Sequence, residues 1–594
     1  LEIEFQEPYS NVVDLSKGIQ MPVWCVDGKL NIAHNCVDKW ATNVTHKNDL
    51  ALIWEGEEGK CQTLTYNELA IEVNRCSNAL RSLGFSKGDV IAIYMPMIPE
   101  TAIALLSIAK IGCIALPLFS GYGPGAISSR LKHTDAKGLF TADGCFRKGK
   151  LIDLKHTADS ALKSVSSIKH VIVVRRSNNS TDMLSGRDYW WHEIVPCQPN
   201  KSPLEPTVAE DPIMVIYTSG TTGNPKGAVH THCGFPIKAA QDIAFGLDIH
   251  NGDVLYWITD MGWMMGPWMV FGSTILGATI CMYDGAPDYP GPDRTWKLVQ
   301  KHKINVLGLS PTFVKSMIVH GKELVNSHDL SSLNAIGSTG EPWNPAPWKW
   351  LFEVVCKGTR PIINYSGGTE ISGGIVMDNP LLPLKPAAFA APCPGIAADI
   401  LDTNGMSIKN QVGELVIRKP WIGMTRGFWR DNDKYLDTYW SSWNDIWVHG
   451  DWGMVDTEGH WYILGRSDDT INIAGKRLGP SEVESVLVNH PAVTEAAAIG
   501  VPSDIKGNDL VCYCVLSPGN KSSVELQNDL QTQIINELGK PLKPKKIKFV
   551  TDLPKTRNGK VMRRIIRAAY LNTIDIDYDN IVNPEAVEEI LSAV

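Results

Sequence analysis

Short, almost uniformly apolar runs that each lead into a helical pattern are the feature that most limits what this chain can fold into. The run at 89–97 (DVIAIYMPM) predicts a strand, 100–112 predicts a helix, and 113–119 predicts the next strand. The alternation returns around IMVIYTSG, TILGATICMY and KINVLGLSP. Strands that are apolar on both faces are typical of parallel sheets covered by helices. The pattern therefore predicts an α/β protein with layered parallel or mixed sheets.

The character of the sequence changes near residue 465. A short helix is predicted at 479–490, opened by a capping box of Ser481 and Glu484. Two strand-like runs and the amphipathic segment VELQNDLQTQIINEL follow it. These elements predict a small α+β unit within the usual domain size. The polar segment GRSDDT at 465–470 is the expected joint.

Composition narrows the classes of function. The 594 residues carry a formal net charge of −8, which argues against general binding to nucleic acid or to a membrane surface. No membrane span is expected, because the sequence has no stretch of about 18 uninterrupted apolar residues. The 13 cysteines are scattered without a paired zinc-binding spacing. That distribution favours reduced thiols and a cytoplasmic location.

The strongest local signal for chemistry is the segment YTSGTTGNPKG at 217–227, which follows the apolar run IMVI. Its glycines and hydroxyl groups can turn several donors toward one point, and Lys226 adds a positive charge, a combination suited to a polyphosphate. A P-loop NTPase is the competing interpretation, but its motif needs Ser or Thr directly after the lysine. Here Pro225 precedes Lys226, and Gly227 and Ala228 follow it. The P-loop motif is therefore not met.

Further segments follow this loop in the chain: GSTGEP (337–342), NYSGGTE (364–370), HGDWG (449–453), YILGRSDD (462–469) and PKTRNGKVMRR (554–564). Together they resemble the ordered motifs of the adenylate-forming superfamily of acyl-CoA synthetases, luciferases and peptide-synthetase adenylation domains. The segments GKLNIAHNCVDKWA and INIAGKRLGPSEVES resemble the acetyl-CoA synthetase branch in particular. The resemblance covers nearly the whole chain. It implies a large N-terminal domain at 1–467 with a branch-specific extension at 1–60, a hinge at 468, and a small mobile domain at 469–594.

The resemblance implies an AMP-forming acyl-CoA synthetase. In that reaction a carboxylate attacks the α-phosphorus of ATP to give acyl-AMP and pyrophosphate, and the thiol of CoA then displaces AMP. The implied ligands are ATP, Mg²⁺, CoA and a small carboxylic acid. Two other classes stay open: an adenylating enzyme that loads a carrier protein or makes light, and a nucleotide-binding protein without catalysis. No fused carrier domain is visible, and the expected catalytic positions are filled.

The resemblance also implies roles for residues around the nucleotide. Glu370 is the implied Mg²⁺ ligand, Thr369 would bond the α-phosphate, Tyr365 would stack on adenine, and Asp451 would accept both ribose hydroxyls with Arg466 nearby. The implied nucleotide set is Thr218, Ser219, Gly220, Thr221, Thr222, Gly223, Lys226, Gly340, Glu341, Pro342, Asn364, Tyr365, Ser366, Gly367, Gly368, Thr369, Asp451, Arg466 and Arg477.

Three residues of the C-terminal part are implied in catalysis and movement. Lys560 would enter the active site during adenylation, bridge the carboxylate and α-phosphate oxygens, and leave when the small domain turns about Asp468. Arg477 would line the thioester-forming face, and Thr221 of the phosphate loop joins the catalytic set. Acylation of Lys560 by a lysine acyltransferase, reversed by a deacylase, would remove its charge and stop the first step. A homo-oligomer is compatible with the sequence.

The acid pocket departs from the branch that the chain most resembles. Acetate-specific members carry a tryptophan three residues before the metal-binding glutamate, where this chain has Gly367. Losing an indole leaves room for several methylenes, so we expect an acid longer than acetate. The hydroxyls of Tyr365, Ser366 and Thr339 could bind a terminal hydroxyl, so a hydroxy acid such as 4-hydroxybutyrate is included. Acetate or propionate is the alternative. The implied pocket residues are Trp263, Met264, Met265, Thr339 and Gly367.

The resemblance extends to CoA and to a second metal. The segment FRKGK resembles the site for the nucleotide end of CoA, with Arg147 matching an arginine and Lys150 replacing another. Ala474 and Gly475 would line the path of the pantetheine arm. Val488, His490 and Val493 match a structural metal position.

Overall fold

The computed structural model describes residues 1–218, 226–467, 471–473, 476–503, 507–539, 542–555, 561–573 and 581–592, with the backbone alone at 472–473, 476–478 and 507. The strands are β1 (Asn11–Asp14), β2 (Val23–Val26), β3 (Leu50–Gly56), β4 (Cys61–Thr65), β5 (Val90–Tyr94), β6 (Ile114–Pro117), β7 (Gly138–Ala142), β8 (Cys145–Arg147), β9 (Lys150–Ile152), β10 (His170–Val174), β11 (Asp188–Trp190), β12 (Pro212–Thr218), β13 (Lys226–Thr231), β14 (Val254–Trp257), β15 (Thr279–Asp284), β16 (Val306–Leu309), β17 (Ala335–Ser338), β18 (Ile362–Gly368), β19 (Gly373–Met377), β20 (Ala391–Pro392), β21 (Ala398–Leu401), β22 (Gly413–Ile417), β23 (Trp447–Val455), β24 (Trp461–Arg466), β25 (Ile471–Ile473), β26 (Lys476–Leu478), β27 (Val493–Ser503), β28 (Gly507–Leu516) and β29 (Lys546–Val550).

The helices accompany these strands in the alternation that the sequence predicts. They are α1 (Lys39–Thr42), α2 (Tyr66–Ser82), α3 (Pro99–Lys110), α4 (Pro124–Thr134), α5 (Leu154–Leu162), α6 (Trp191–Ile194), α7 (Phe235–Leu247), α8 (Met265–Ile275), α9 (Arg294–His302), α10 (Pro311–Ile318), α11 (Lys322–Asn326), α12 (Pro345–Trp350), α13 (Asn432–Trp440), α14 (Pro480–Val488), α15 (Val524–Leu538), α16 (Arg563–Tyr570) and α17 (Pro584–Ser592). Among the described residues, no helix combines the length and the apolar character needed to cross a membrane.

Two large sheets organise the first part of the chain. One has seven strands in the order β11-β10-β7-β5-β6-β12-β13, and the other has nine in the order β20-β19-β18-β17-β16-β14-β15-β3-β4. Their central strands pair in parallel, while β13, β19, β20 and β4 add antiparallel edges. The central strands β5, β14 and β16 are buried along their whole length, as the continuous apolar runs predict. The prediction of layered mixed sheets is confirmed.

A third sheet, β21-β22-β23-β24, is antiparallel throughout and ends at Arg466, within the predicted joint at 465–470. The strands of the last part of the chain form a separate mixed sheet with helices on both faces. Residues of β28 alternate between two hydrophobic clusters: Cys512 and Cys514 pack with α14 and α15, while Val511 and Tyr513 pack with α16 and α17. This alternation fits the predicted small α+β unit.

The predicted capping box of α14 is wrong by two positions. The helix begins after Gly479, whose N–H donates to Glu482 Oε1 at 3.0 Å. Ser481 instead donates to the carbonyl of Leu464, and Glu484 accepts from the N–H of Ala498 at 2.9 Å. Pro480 takes the first helical position, where a missing N–H costs nothing. The motif letters matched, but Ser481 and Glu484 are used in contacts with other elements.

Candidate active site

The predicted nucleotide residues that the structure describes lie in or directly beside strands of three different sheets. Thr218 ends β12 and Lys226 begins β13, and the two residues pair across the antiparallel strands. The segment between them includes the predicted phosphate residues 219–223, which lie outside the described residues. Asp468, Ala474, Gly475 and Lys560 also lie outside them, and of Arg477 only the backbone is described. Their predicted roles stay predictions.

Glu370 is a buried carboxylate in a single helical turn, Thr369–Ile371, directly after β18. Its Oε1 accepts a hydrogen bond from the hydroxyl of Tyr439 at 2.6 Å and one from Thr218 Oγ1 at 3.4 Å. Its carbonyl accepts from the N–H of Thr425 at 2.9 Å. The structure thus brings the predicted Mg²⁺ residue beside the end of the phosphate loop. Sequence analysis missed Tyr439, which lies 69 residues from Glu370 along the chain.

Lys226 contacts the same aromatic group. Its ammonium lies 5.5 Å from the ring centre of Phe428 and 5.7 Å from that of Tyr439. A cation over aromatic faces is attracted by the negative charge of the ring surfaces. The loop lysine and the Glu370 carboxylate are therefore arranged around one tyrosine.

Asp451 and Arg466 form a direct pair across β23 and β24. The guanidinium lies 3.6 Å from Asp451 Oδ1 and donates to the carbonyl of His449 at 3.2 Å. Gly450, with φ +83°, keeps the backbone close to Arg466, since a Cβ there would lie 2.8 Å from its Nη2. The predicted ribose carboxylate and its arginine are thus neighbours. Burial lowers the pKa of His449, so this ring adds no positive charge near neutral pH.

The predicted adenine turn is present, but Glu341 faces another way. Gly340 has φ +105° and open space where a side chain would be, which suits a turn that a ligand approaches. Glu341 Oε1 accepts from both the N–H and the hydroxyl of Thr312 at the start of α10. Its carboxylate therefore fastens the turn to this helix. Asn364, on the neighbouring strand, donates to the carbonyl of Ala388 at 3.0 Å.

The prediction that Tyr365 stacks on adenine is wrong. Its ring is buried, and its hydroxyl donates to Asp242 Oδ2 at 2.6 Å. The same carboxylate accepts from the ammonium of Lys238 and, at 3.0 Å, from the N–H of Gly374. Successive residues of a strand face opposite sides, so Ser366 points to the face that Tyr365 does not reach. Tyr365 anchors β18 to helix α7.

Gly367 does not open onto the space that the sequence argument assigned to it. A Cβ at Gly367 would lie 1.9 Å from the carbonyl oxygen of Gly373 and 2.7 Å from the Cα of Gly374. The pairing of β18 with β19 shifts register between Ser366 and Gly367, which turns this position toward the partner strand. The room that the sequence argument assigned to Gly367 is therefore not there, because any side chain at this position meets backbone.

Three of the other predicted pocket residues lie at or just before the start of α8. Trp263 is half-buried and its ring packs 5.2 Å from Phe119, Met264 is half-buried, and Met265 is buried in the first turn of the helix. Thr339 donates its hydroxyl proton to the carbonyl of Tyr365 at 2.6 Å. Two hydroxyls proposed for a hydroxylated substrate, those of Thr339 and Tyr365, therefore already donate within the protein.

Arg147 and Lys150 lie opposite each other in the exposed hairpin β8–β9. Lys148 and Gly149 at its tip have positive φ, +51° and +73°, as tight two-residue hairpin turns require. The buried Glu57 accepts from both N–H groups of this tip, at 2.9 and 2.6 Å. Both basic residues predicted to bind CoA thus sit on one fixed turn. Sequence analysis missed Glu57, whose contact is with residues far along the chain.

The predicted structural metal position is occupied by ordinary hydrogen bonds. His490 Nδ1 accepts from the N–H of Ala492 at 3.2 Å, and Nε2 pairs with Asp529 at 3.2 Å. The carbonyl of His490 accepts from the N–H of Val493 at 3.0 Å. A metal bound through the ring would have to break one of these bonds. The assignment of Val488, His490 and Val493 to a metal stays a prediction that these contacts do not favour.

Glu414, which lies near the predicted ribose residue Asp451, supplies a testable pH effect. Burial raises its pKa to about 7, the Asp451 carboxylate adds to the rise, and the Ser467 hydroxyl, which donates at 3.1 Å, opposes it. The folded state therefore holds this proton more tightly than the unfolded state, and stability falls as pH rises from about 4.5 to about 7. We expect Glu414→Gln to reduce this loss by up to about 3 kcal/mol. Unfolding of both proteins at pH 5 and pH 8 checks it, and parallel pH dependences would contradict it.

Comparison with known proteins agrees with this fold and identifies the class of enzyme. The family profile described as AMP-binding enzyme matches residues 38–429, and that of the AMP-binding enzyme C-terminal domain matches 482–560. An acetyl-coenzyme A synthetase of Methanothrix thermoacetophila is 39% identical over 98% of this chain and 89% of its own. One of Rhodopirellula baltica is 41% identical over 94% and 84%.

A solved structure shares the architecture over the full chain. The acetoacetyl-CoA synthetase from Streptomyces lividans superimposes with a TM-score of 0.91 at 26% identity, covering 100% of this chain and 90% of that one. The chain therefore belongs to the AMP-binding enzyme family. It is an AMP-forming acyl-CoA synthetase, an acid–thiol ligase that uses ATP, Mg²⁺ and CoA.

Proposed function

We propose that this synthetase activates a short- to medium-chain acid longer than acetate. The observation that carries the proposal is the close pairing of glycines across β18 and β19, Gly367 with Gly374 and Gly368 with Gly373, which leaves no room at 367 for the tryptophan that closes the site in acetate-specific members. None of these residues has a side chain that could close the acid site above the Glu370 turn. Trp263, Met264 and Met265 then set the depth of the pocket, and methionine adapts well to an apolar chain.

Two names among the similar proteins point in different directions. The relatives at 39% and 41% identity are named acetyl-coenzyme A synthetases, which favours acetate as the alternative substrate. The similar solved structure is named acetoacetyl-CoA synthetase, an enzyme for a longer acid. The glycine pairing favours the longer acid.

The contacts around Glu370 support specific roles in the first half-reaction. The Glu370 carboxylate holds Mg²⁺, and Thr218 and Lys226 bind phosphate oxygens at the ends of the loop. Asp451, paired with Arg466, accepts the ribose hydroxyls. Together these charges neutralise ATP and hold its α-phosphorus in line with the acid, which is where an enzyme of this chemistry gains most of its rate.

The second half-reaction is assigned to the C-terminal part and the β8–β9 hairpin. Arg147 and Lys150 bind the nucleotide end of CoA, while the small domain turns about Asp468 so that Lys560 leaves. A hinge motion of this kind lets one site serve two steps. Consumption of acyl-AMP that depends on CoA, without any carrier protein, separates this function from carrier loading.

A chain-length series tests the substrate proposal. Pyrophosphate release with ATP, Mg²⁺ and CoA is measured for acetate, propionate, butyrate and hexanoate. Each methylene accommodated in an apolar pocket is worth about 1–3 kcal/mol, so kcat/KM should rise roughly tenfold or more per carbon until the pocket is filled. An enzyme that prefers acetate over every longer acid would contradict the open pocket and favour the acetate alternative.

The hydroxylated alternative has its own comparison. Because Thr339 and Tyr365 already donate their hydroxyl protons within the protein, Ser366 is the remaining proposed partner for a substrate hydroxyl. The ratio of kcat/KM for 4-hydroxybutyrate to that for butyrate is measured in the natural enzyme and in Ser366→Ala. A ratio above one that falls in the variant would favour the hydroxy acid.

A further inference from the structure

We propose that Tyr439 is a positioning residue for the divalent cation: its hydroxyl holds the Glu370 carboxylate so that Oε2 faces the metal of ATP. The inference rests on the proposed role of Glu370 as the metal-binding residue. The two side-chain hydrogen bonds described for this carboxylate, from Tyr439 and Thr218, both reach Oε1. They fix one oxygen and direct the other.

Gly368 lies beside Glu370 Oε2 and adds no side chain there. A Cβ at Gly368 would lie 3.5 Å from Glu370 Oε2 and 3.2 Å from His449 Cε1. A larger side chain at 368 would cover this oxygen. Gly368 therefore leaves room for a cation and its water ligands, which Mg²⁺ usually keeps in nucleotide sites.

Tyr439 is itself rigidly held. It lies in the last turn of α13, is 7% exposed, and stacks on Trp447 with ring centres 4.0 Å apart and planes 11° apart. Phe428 packs against its edge at 5.9 Å. Trp447 begins β23, the strand that also carries Asp451. The ring thus ties the orientation of Glu370 to the strand that carries the ribose carboxylate.

The bond has the properties of a strong, directional hydrogen bond. A neutral O–H that donates to a carboxylate forms a short charge-assisted bond, and the 2.6 Å distance fits that class. Groups that orient a metal-binding side chain typically change metal affinity or activity about 10–100-fold when removed.

The chain offers a matched control on the same helix. Tyr435 lies one turn before Tyr439, is fully buried and packs 6.0 Å from the same Trp447. Its hydroxyl donates to the carbonyl of Gln20 at 3.1 Å, away from Glu370. Tyr435→Phe therefore removes one buried hydroxyl from the same aromatic cluster without touching the carboxylate.

The experiment measures the Mg²⁺ dependence of acyl-adenylate formation in the full-length enzyme. Tyr439→Phe should raise the Mg²⁺ concentration for half-maximal rate about tenfold, while ATP binding measured without Mg²⁺ stays unchanged. Tyr435→Phe should leave the Mg²⁺ dependence as in the natural enzyme. In Glu370→Gln the Mg²⁺ dependence should be lost or strongly weakened, and adding Tyr439→Phe should change it no further, because the tyrosine acts through Glu370.

The possible outcomes distinguish the metal role of Glu370 from the positioning role of Tyr439. If Glu370→Gln keeps a normal Mg²⁺ dependence, the proposed metal role of Glu370 fails and the inference about Tyr439 fails with it. If Glu370→Gln is impaired but Tyr439→Phe behaves as the natural enzyme, only the positioning role is wrong. Equal shifts in the two Tyr→Phe variants would show a general packing effect and would also overturn the inference. Thermal unfolding of each variant confirms that folded proteins are compared.

Discussion

Lys560→Ala is expected to lower acyl-adenylate formation on the order of 100- to 1000-fold while leaving thioester formation from supplied acyl-AMP largely intact. Preorganised contacts to developing charge have effects of this size when one is removed. Lys560 follows Gly559 in the basic segment 554–564, which resembles the family motif that carries the adenylating lysine. A long side chain ending in a point charge can bridge carboxylate and phosphate oxygens in one conformation and leave in the next. The two half-reactions are measured separately, with pyrophosphate release for the first and CoA-dependent AMP release for the second.

Lys555 provides the control for a structural explanation. Its ammonium lies 2.7 Å from Glu495 and 2.7 Å from Asp552, so this lysine of the same segment forms ion pairs within the C-terminal part of the chain. Lys555→Ala should lower the unfolding temperature and reduce both half-reactions together. If Lys560→Ala also reduced both equally, Lys560 would have a structural role and the assignment would be wrong.

Much of the candidate site was implied by the family resemblance, because its ordered motifs fall in or directly beside strands. The apolar runs located β12, and the motif after it was expected to bind phosphate there. Asp451 and Arg466 are separated along the chain, but the β23–β24 hairpin brings them together as a direct antiparallel pair. The amphipathic segment VELQNDLQTQIINEL became α15 with the same first and last residues.

The errors came from the facing of a strand residue, the start of a helix and contacts between distant segments, which local sequence letters do not determine. Tyr365 and Ser366 are neighbours in a strand, so one faces the interior and the other the opposite side, and the motif alone did not say which. The capping letters at 481 and 484 were two residues away from the true helix start. Contacts made by Tyr439 and Glu57 join segments far apart in sequence, and no local pattern marks them.

Gly367 shows how the register of two paired strands changes a functional prediction. The sequence argument treated the missing tryptophan as an open volume, yet the register shift between Ser366 and Gly367 directs this position into β19. The lack of a side chain therefore has two consequences: nothing projects over the acid, and two strands approach closely. The first supports a longer substrate, and the second determines what a substitution would do.

Gly367→Ala is expected to destabilise the protein and to lower kcat/KM for acetate and butyrate by the same factor. The new methyl group would lie 1.9 Å from the Gly373 carbonyl oxygen, a contact that only backbone movement can relieve. Overpacking of this kind costs about 1–3 kcal/mol, and the displaced strand carries the turn with Thr369 and Glu370. Because the methyl group points at β19, it should not change the order of preference among acids. Thermal unfolding and the chain-length series on the variant measure both effects.

Gly368→Ala is the neighbouring control for stability. A Cβ there meets a side-chain atom, His449 Cε1, at 3.2 Å, and a side chain can move by the few tenths of an ångström required. Its unfolding temperature should therefore stay closer to that of the natural protein than that of Gly367→Ala. A Gly367→Ala variant that folds normally and shifts preference toward acetate would show that position 367 does border the acid after all. The tryptophan of acetate-specific relatives would then be the correct guide to this pocket, and the close approach of β18 and β19 would not limit it.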